Sequence, residues 1–388
     1  MRWEELEDEL EVLETEREYD GYFCSIKDAV IIVILGSLCD LQSVKKIHAW
    51  ATTEHVRTFL AETFGIKRLP CYWWLLSLLA IIRPESLNKC MKQWVTSVVP
   101  NLAAKLEQEE EEQSKKKKKP LTIAIDGKEI RSTGKMKKYD SPLHIISAQI
   151  GELGLTLAQR TVESKSNEIP AVPELIKELE IKGCMVVADA MNCQIETAEA
   201  IIGAEADYLL SAKGNQEALM NDIAEYVQDT KLRATMDSIS RTERGHGRKE
   251  TRSAYTSNDV EWQPGGRVWP GLKCIGAVHT RFETSEGVTE EWHYYISSKA
   301  LRAEELLHHA REEWSVESMH WLLDVHFDED RCRVQSKNVQ QNLNMLHKFA
   351  LNIIRIYKRE TQSKLALNGI MFHALMNPQA LLPLLGKT

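Results

Sequence analysis

Two short apolar segments near the middle of the chain each end in an aspartate. Leu121–Asp126 and Cys184–Asp189 carry four and five apolar residues, respectively, before the carboxylate. Apolar runs of this length are typical of strands that are buried on both faces of a sheet. A carboxylate at the end of such a strand loses hydration unless a hydrogen bond or a cation compensates. The chain is therefore predicted to form an α/β fold that gathers acidic groups at one edge of its sheet.

The neighbouring segments predict how that sheet is built. Further strands are expected at 144–150, 155–162 and 207–212, and helices at 168–181 and 193–203. The order β-β-β-α-β-α-β is typical of a mixed sheet covered by helices. Ligand and metal sites of such sheets lie beyond the strand ends, but an aspartate there can also simply start a turn or cap a helix. The residues alone leave both interpretations open.

The remaining segments differ in composition and are predicted to form separate units. Residues 1–106 have helical periodicity, which predicts an all-α N-terminal domain. Residues 107–120 place five acids before five lysines, which indicates a solvated linker rather than a phosphate-contacting strap. The segment 213–300 carries strand and loop signals and is predicted to be a β-rich insertion. Helices return from 303, and a helical C-terminal tail is expected at 359–388.

Composition excludes several classes of protein. With 43% hydrophobic and 27% charged residues the chain can bury a core, so it is not disordered throughout. Its net charge of −8 equals that of residues 1–20, so global charge identifies no partner. None of the eight cysteines forms a C-x-x-C pair, and neither a zinc site nor a disulfide framework is expected. Without a long apolar run or a basic-then-apolar leader, a cytoplasmic location and no membrane partner are expected.

A third group of chemically capable residues lies between Arg311 and Asp330. Helical spacing would place five of its side chains on a single face: Glu313, Glu317, His320, Trp321 and Asp324. A carboxylate from this face would complete a metal site with Asp126 and Asp189, because hard oxygen ligands from separate elements suit Mg²⁺. An ordinary amphipathic helix with core tryptophans and solvated acids would show the same periodicity.

Several short motifs occur in a fixed order along the chain. They are Ala124–Lys128, His144–Ala148, Lys165–Ile169, Asp189–Gln194, Asp207–Tyr208, Lys213–Gln216, His246–Arg252 and Trp314–Asp330. Together they resemble a DDE-type insertion-sequence transposase, of the group that includes the H-repeat-associated proteins linked to Rhs elements. The resemblance implies a ribonuclease H-like catalytic domain at 121–358 that contains the insertion.

The resemblance also implies which acids carry the chemistry. Asp126, Asp189 and Glu317 correspond to the acidic triad, at spacings of 63 and 128 residues. Glu313 and Asp324 are the alternatives for the third acid. The family usually has His-Trp where this chain has Glu313-Trp314.

The implied function is that of a DNA transposase, which cuts element ends and joins them to target DNA by two-metal phosphoryl transfer. The expected cofactor is Mg²⁺, for which Mn²⁺ can substitute. The expected partners are element-end and target DNA and a second copy of the chain in a synaptic complex. Two alternatives remain open: a metal-dependent DNA nuclease without strand transfer, and a catalytically inactive DNA-binding remnant.

Cations and polar donors near these acids are predicted to contact DNA, although each also has a plain interpretation as a solvated, turn or ion-pairing residue. They are Lys128, Arg131, Lys213, Asn215, Gln216, His246, Arg248, Arg252, Arg311, Arg331 and Arg333. From 331 to 364, eight cations face one acid, which predicts a phosphate-binding surface. Lys348, Arg355 and Arg359 belong to this run, on or next to a helix predicted at 338–358.

Overall fold

The strands form one nine-stranded mixed sheet. The computed structural model describes residues 3–21, 23–113, 120–131, 142–162, 168–245, 248–262, 264–285, 287–332 and 334–387. The strands are β1 (Thr122–Ile130), β2 (Leu143–Ile150), β3 (Leu155–Val162), β4 (Met185–Ala188), β5 (Asp207–Ala212), β6 (Asp237–Gly245), β7 (Arg248–Ser257), β8 (Cys274–Thr284) and β9 (Gly287–Ser297). Their order is β3-β2-β1-β4-β5-β9-β8-β7-β6. β4 is parallel to β1 and β5, and the other neighbours are antiparallel. The predicted mixed α/β class is confirmed.

Helices precede the sheet, connect its strands and follow it. They are α1 (Trp3–Glu11), α2 (Ile26–Leu38), α3 (Val44–Ala51), α4 (Glu54–Phe64), α5 (Tyr72–Ile81), α6 (Pro84–Gln113), α7 (Glu168–Lys177), α8 (Ile195–Gly203), α9 (Glu217–Gln228), α10 (Thr230–Thr235), α11 (Ala303–Glu313), α12 (Ser315–Phe327), α13 (Lys337–Thr361), α14 (Leu367–Met376) and α15 (Leu381–Leu384). Over the part of the chain that the structure describes, none is both long and apolar enough to cross a membrane.

β1 is longer than its apolar run. Its antiparallel pairing with β2 continues to Ile130, opposite Leu143, whereas its parallel pairing with β4 stops at Ile125. The interpretation of Asp126 as the end of its strand is therefore wrong. The backbone of β1 remains paired with β2 beyond Ile125, where polar residues follow the apolar run. β4, in contrast, ends one residue before Asp189, as predicted.

The segment 213–300 contributes four strands to the same sheet. β6–β9 form an antiparallel meander, and β9 pairs with β5, so the meander extends the sheet. Two helices, α9 and α10, precede it and were not predicted. The sequence does carry a helical signal for α9, because Leu219, Ile223 and Tyr226 are buried at helical spacing.

The N-terminal helices and the sheet share one hydrophobic core. α13 is buried along most of its length and packs against α2, α5, α6 and β3. The rings of Trp94 in α6 and Phe349 in α13 stack with centroids 5.6 Å apart. Nδ2 of Asn342 donates to the carbonyl oxygens of Leu79 (2.8 Å) and Ile82 (3.0 Å). α13 thus attaches the helical N-terminal region to the sheet.

The segment predicted as a charged linker, 107–120, is partly helical. α6 continues to Gln113, so the acidic half of the block belongs to this helix. The lysine half, 114–119, lies outside the described residues.

The phosphate-binding surface predicted from 331–364 is wrong for three of its cations. Lys348 is fully buried, and its Nζ donates to Ser147 Oγ (2.8 Å) and Gln159 Oε1 (2.6 Å). The guanidinium of Arg355 donates to the carbonyl oxygen of Gly154. Arg359 donates to the carbonyl oxygen of Glu152 at 2.7 Å. These side chains satisfy polar groups of β2, β3 and the turn between them, so they are not available to DNA.

Lys348 is expected to make the protein more stable as pH rises. Burial lowers the pKa of its ammonium group from 10.5 to about 7, so between these values the unfolded chain binds one more proton than the folded chain. This single group contributes a slope of up to about 1.4 kcal/mol per pH unit. We expect Lys348→Met to remove the slope in urea unfolding between about pH 7 and pH 10. Lys358→Met, near the end of the same helix, is the control and should retain it; an unchanged slope in Lys348→Met would contradict the assignment.

Candidate active site

Asp126 and Asp189 lie at adjacent positions of the sheet. The parallel pairing of β1 with β4 ends at Ile125 and Ala188, and each aspartate is the next residue. Oδ2 of Asp126 lies 3.4 Å from Nδ1 of His320 in α12. The register between two strands therefore brings together two carboxylates that are 63 residues apart in the sequence.

Two glutamates from the α11–α12 segment join this pair, forming what we call the acid cluster: Asp126, Asp189, Glu313 and Glu317. Glu313 is the last residue of α11 and Glu317 lies in the first turn of α12. The pKa of the Glu313 carboxyl is raised to about 8, chiefly by burial; Lys213 opposes the shift, and the charges of the other three acids add to it. The pKa of Asp189 is also raised, first by burial and then by Glu168 and Asp126. The neighbouring acids therefore add to burial in disfavouring the ionised forms of Asp189 and Glu313.

The acid cluster fits a divalent cation on chemical grounds. Carboxylates from separate elements are the oxygen ligands that Mg²⁺ prefers, and a bound cation offsets both the burial and the like-charge repulsion. Burial and the neighbouring acids raise the pKa values of Asp189 and Glu313, and a bound cation would act in the opposite direction. Lys213 is the cation that acts on Glu313.

Asp324, an alternative for the third acid, is engaged elsewhere. Its Oδ1 accepts from Nζ of Lys128 at 2.5 Å, and the same ammonium lies 3.6 Å from Oε2 of the buried Glu329. The prediction of a single helical face from Glu313 to Asp324 is wrong, because the helix is interrupted at Trp314. The interruption leaves Glu313 largely buried and Glu317 exposed.

A buried hydrogen-bond chain supports Asp189 and was not predicted. Oδ1 of Asp189 accepts from the backbone N (3.2 Å) and Nδ2 (2.9 Å) of Asn192. Nδ2 of Asn192 also donates to Oε1 of Glu168 (2.8 Å), whose Oε2 lies 2.6 Å from Nε2 of His144. A side chain at Gly127 would overlap with both Glu168 and His144. The motifs contained these residues, but their spacing alone did not connect them.

Two polar residues predicted to contact DNA bind the loop after Asp189 instead. Nδ2 of Asn215 donates to the carbonyl oxygen of Ala190 at 2.5 Å, and Nε2 of Gln216 donates to that of Cys193 at 3.0 Å. They fix the turn that carries Asp189 against the end of β5. DNA contact by either residue stays a prediction.

The predicted arginine contacts mostly have acidic partners within the protein. Arg252 pairs with Glu250 and lies over the ring of Trp314, 5.4 Å from its centroid. Arg311 donates to Oε1 of Glu243 at 2.9 Å. Arg131 and Arg331 are exposed, with Nε atoms 3.8 Å from Asp330 Oδ2 and 3.7 Å from Asp328 Oδ1. His246, Arg333 and the side chain of Arg248 lie outside the described residues.

A second cluster of possible metal ligands lies at the start of β1. Its members are Glu152, His308 and His309. Oε2 of Glu152 accepts from the backbone N of Thr122 at 2.9 Å, and Oε1 lies 3.2 Å from Nε2 of His308. Nδ1 of His309 lies 2.7 Å from the hydroxyl of Thr122. These bonds already fasten α11 and the β2–β3 turn to the start of β1.

Comparisons with known proteins identify the family of this chain. Residues 117–353 match the family described as "Transposase DDE domain". The chain belongs to this family. The match covers more than half of the chain and contains all four residues of the acid cluster. The resemblance to DDE-type transposases of the H-repeat-associated group is thereby confirmed.

Curated relatives are similar over part of their length. "Putative transposase YncI" of Escherichia coli O157:H7 is 38% identical over 265 residues, covering 63% of this chain and 66% of the relative. "H repeat-associated putative transposase YhhI" of Escherichia coli K12 is 34% identical over 259 residues, covering 63% and 67%. The chain thus spans about two thirds of the length of these DDE relatives. A piggyBac transposase synaptic complex with hairpin DNA, solved by cryo-EM, covers 99% of this chain and 77% of that chain at 9% identity, with a TM-score of 0.43.

Glu168 is expected to be essential for stability although it lies behind the acid cluster. Glu168→Ala leaves Nε2 of His144 and Nδ2 of Asn192 with fewer partners in a buried site, and should lower the free energy of unfolding by about 3 kcal/mol. Urea unfolding at neutral pH measures this loss. Glu174→Ala is the matched control, because Glu174 lies on the same helix but pairs with Lys177 at the surface. Equal stability of the two variants would show that the buried chain of hydrogen bonds does not support the fold.

Proposed function

We propose that this protein is an insertion-sequence transposase that cuts DNA at the ends of its element and joins them to target DNA. The observation that carries the proposal is the acid cluster, in which Asp126 and Asp189 each follow the last residue pair of the parallel β1–β4 ladder, in a DDE-family chain. The order of β1–β5 with α7 and α8 is that of a ribonuclease H-like core, within which the β6–β9 meander is an insertion. Membership of the family supports DNA as the substrate.

Asp126, Asp189 and Glu317 are proposed to hold Mg²⁺, for which Mn²⁺ can substitute. When bound, Mg²⁺ activates a water and stabilises charge on the phosphate and on the departing oxygen. Asn192 fixes the carboxylate of Asp189 through two hydrogen bonds, so that its orientation is set before substrate arrives. Glu313 is the alternative third acid, because the charges of Asp126, Asp189 and Glu317 all contribute to the raised pKa of its carboxyl group.

The reaction has two steps. In the first, a water attacks the scissile phosphate and the P–O3′ bond breaks, which releases a 3′ hydroxyl. In the second, that hydroxyl attacks a phosphate of the target DNA and displaces a target 3′ oxygen. Phosphoryl transfer of this kind depends mainly on positioning and on charge stabilisation. Exposed cations such as Arg131 and Arg331 are proposed to hold the DNA backbone. A second copy of the chain would hold the other element end.

Mg²⁺ binding is expected to release a proton from Glu313. Because the pKa of its carboxyl group is about 8, the group is mostly protonated at neutral pH, and a nearby divalent cation favours the ionised form. We expect release of up to about one proton per chain at pH 7, detected with an indicator dye in weak buffer. Glu313→Gln should abolish the release and Glu312→Gln should retain it. Equal release by both variants would place the proton elsewhere.

Cleavage of the DNA that flanks the gene tests the proposed function. With Mg²⁺ present, the wild-type protein should nick element-end duplex, and Glu317→Gln should be slower by more than about a hundredfold. The neighbouring Glu312→Gln is the control and should cleave normally. If Glu317→Gln cleaves normally and Glu313→Gln does not, Glu313 is the third acid.

Joining separates the transposase from its two alternatives. A pre-cut end carrying a free 3′ hydroxyl should be joined to a target plasmid by the wild-type protein. Cleavage without joining would indicate a nuclease. Binding of the DNA with neither reaction would indicate an inactive remnant.

A further inference from the structure

A cavity of about 670 Å³ lies between the N-terminal helices and the far end of β1. Its floor is apolar and includes Leu76, Ile130, Phe327 and Leu343. Helices α3 and α5 form one wall, and the end of α12 with the start of α13 forms the other. Its volume lies within the range of small-ligand sites, and nothing in the proposed reaction accounts for it.

Two adjacent aromatic side chains line the mouth of the cavity. Trp73 is 74% exposed, an unusual state for the largest apolar side chain, and its ring lies 5.0 Å from that of Tyr72. Exposed aromatic faces of this kind stack with nucleic-acid bases whatever the base, because every base has a π-face.

One residue of the lining carries a buried acceptor. Asn344 lines it and is only 4% exposed. Its Nδ2 donates to Oε1 of Glu329 at 2.8 Å, whereas its Oδ1 has no hydrogen-bond partner among the described residues. A buried acceptor without a partner is unfavourable, so the cavity suits a flat ligand that carries an N–H donor.

The rim carries positive charge. Lys45 and Lys46 lie in the first turn of α3, and Arg331 stands on the opposite side. Two acids also line the cavity: Asp328, which lies 3.7 Å from Nε of Arg331, and the buried Glu329. An aromatic and apolar interior, a buried acceptor and a cationic rim are together the features that would bind the base and the phosphate of a nucleotide.

The cavity is also within reach of the acid cluster along one strand. Ile130 lines it and follows Asp126 by four residues on β1. At about 3.3 Å per residue this is about 13 Å, the length of about four nucleotides of a B-form strand.

We propose that this cavity receives one unpaired nucleotide of the DNA strand that is cut at the acid cluster. Its base stacks on Trp73 and donates to Asn344, and its phosphate lies near Lys45 and Arg331. The inference rests on the proposed function for the identity of the strand, but it is tested by binding, which does not require cleavage. A free mononucleotide has the same chemistry and is the other source that the experiment must distinguish.

Photocrosslinking locates the base. A series of element-end duplexes is prepared, each with a single 5-iodouracil at one of the first six positions on either side of the scissile phosphate. The Asp126→Asn protein is used so that the DNA stays intact. We expect a crosslink to the peptide that contains Trp73 within about four nucleotides of the scissile phosphate. No crosslink to this peptide from any position overturns the proposal. A crosslink that millimolar mononucleotide abolishes, with no loss of DNA affinity, would assign the cavity to a free nucleotide and overturn it equally.

Affinity measures the contribution of the stack. The affinity for a duplex with one unpaired nucleotide at the crosslinked position should fall about tenfold in Trp73→Ala and be largely retained in Trp73→Phe. Trp262→Ala removes another exposed tryptophan, stacked on Tyr226, and should change nothing. Equal affinity of wild type and Trp73→Ala overturns the proposal even if the protein cleaves DNA normally. Loss of affinity in Trp73→Ala supports it even if no cleavage is found, so the two proposals fail separately.

Discussion

Repulsion between the carboxylates of the acid cluster is the interaction around which this part of the molecule is organised. The register of β1 and β4 brings Asp126 and Asp189 together, and the interruption at Trp314 adds Glu313 and Glu317. Burial raises the pKa values of Asp189 and Glu313, and the charges of the neighbouring carboxylates raise them further. The packing of α11 on β1 and β4 and of α12 on β1 holds these groups in place.

A network of hydrogen bonds behind the cluster holds the carboxylate of Asp189 in one orientation. Asn192 donates twice to Asp189, and Glu168 and His144 hold Asn192 in turn. Within the described residues, Nδ1 of His144 and Oδ1 of Asn192 have no hydrogen-bond partner, so the chain depends on the bonds named above. It fixes the direction of a carboxylate without neutralising it, which is the property that a cation-binding group needs.

The sequence predicted the sheet and the two aspartates because the signals there are local. Apolar runs, turn residues and helical periodicity are each read over a few positions, and most of the elements from β1 to β5 follow from them. The continuation of β1 past Asp126, the pairing of β9 with β5 and the chain from His144 to Asp189 depend on contacts between distant segments. The burial of several cations could not be predicted for the same reason. Lys348 and Arg355 carry the charge of a DNA-binding residue, but the buried acceptors that bind them lie on β2, β3 and the turn between them.

The shared core means that the region matching the family does not contain all of its own packing partners. The family match begins at residue 117, after most of the N-terminal helical region, yet α13, which begins within the match, packs on α2, α5 and α6. A gene fragment limited to the matched region would encode a protein that exposes Phe349 and leaves Asn342 without its acceptors at Leu79 and Ile82. The region that matches the family is thus smaller than the unit that shares the core, and an exchange of the first hundred residues would have to preserve their packing on α13.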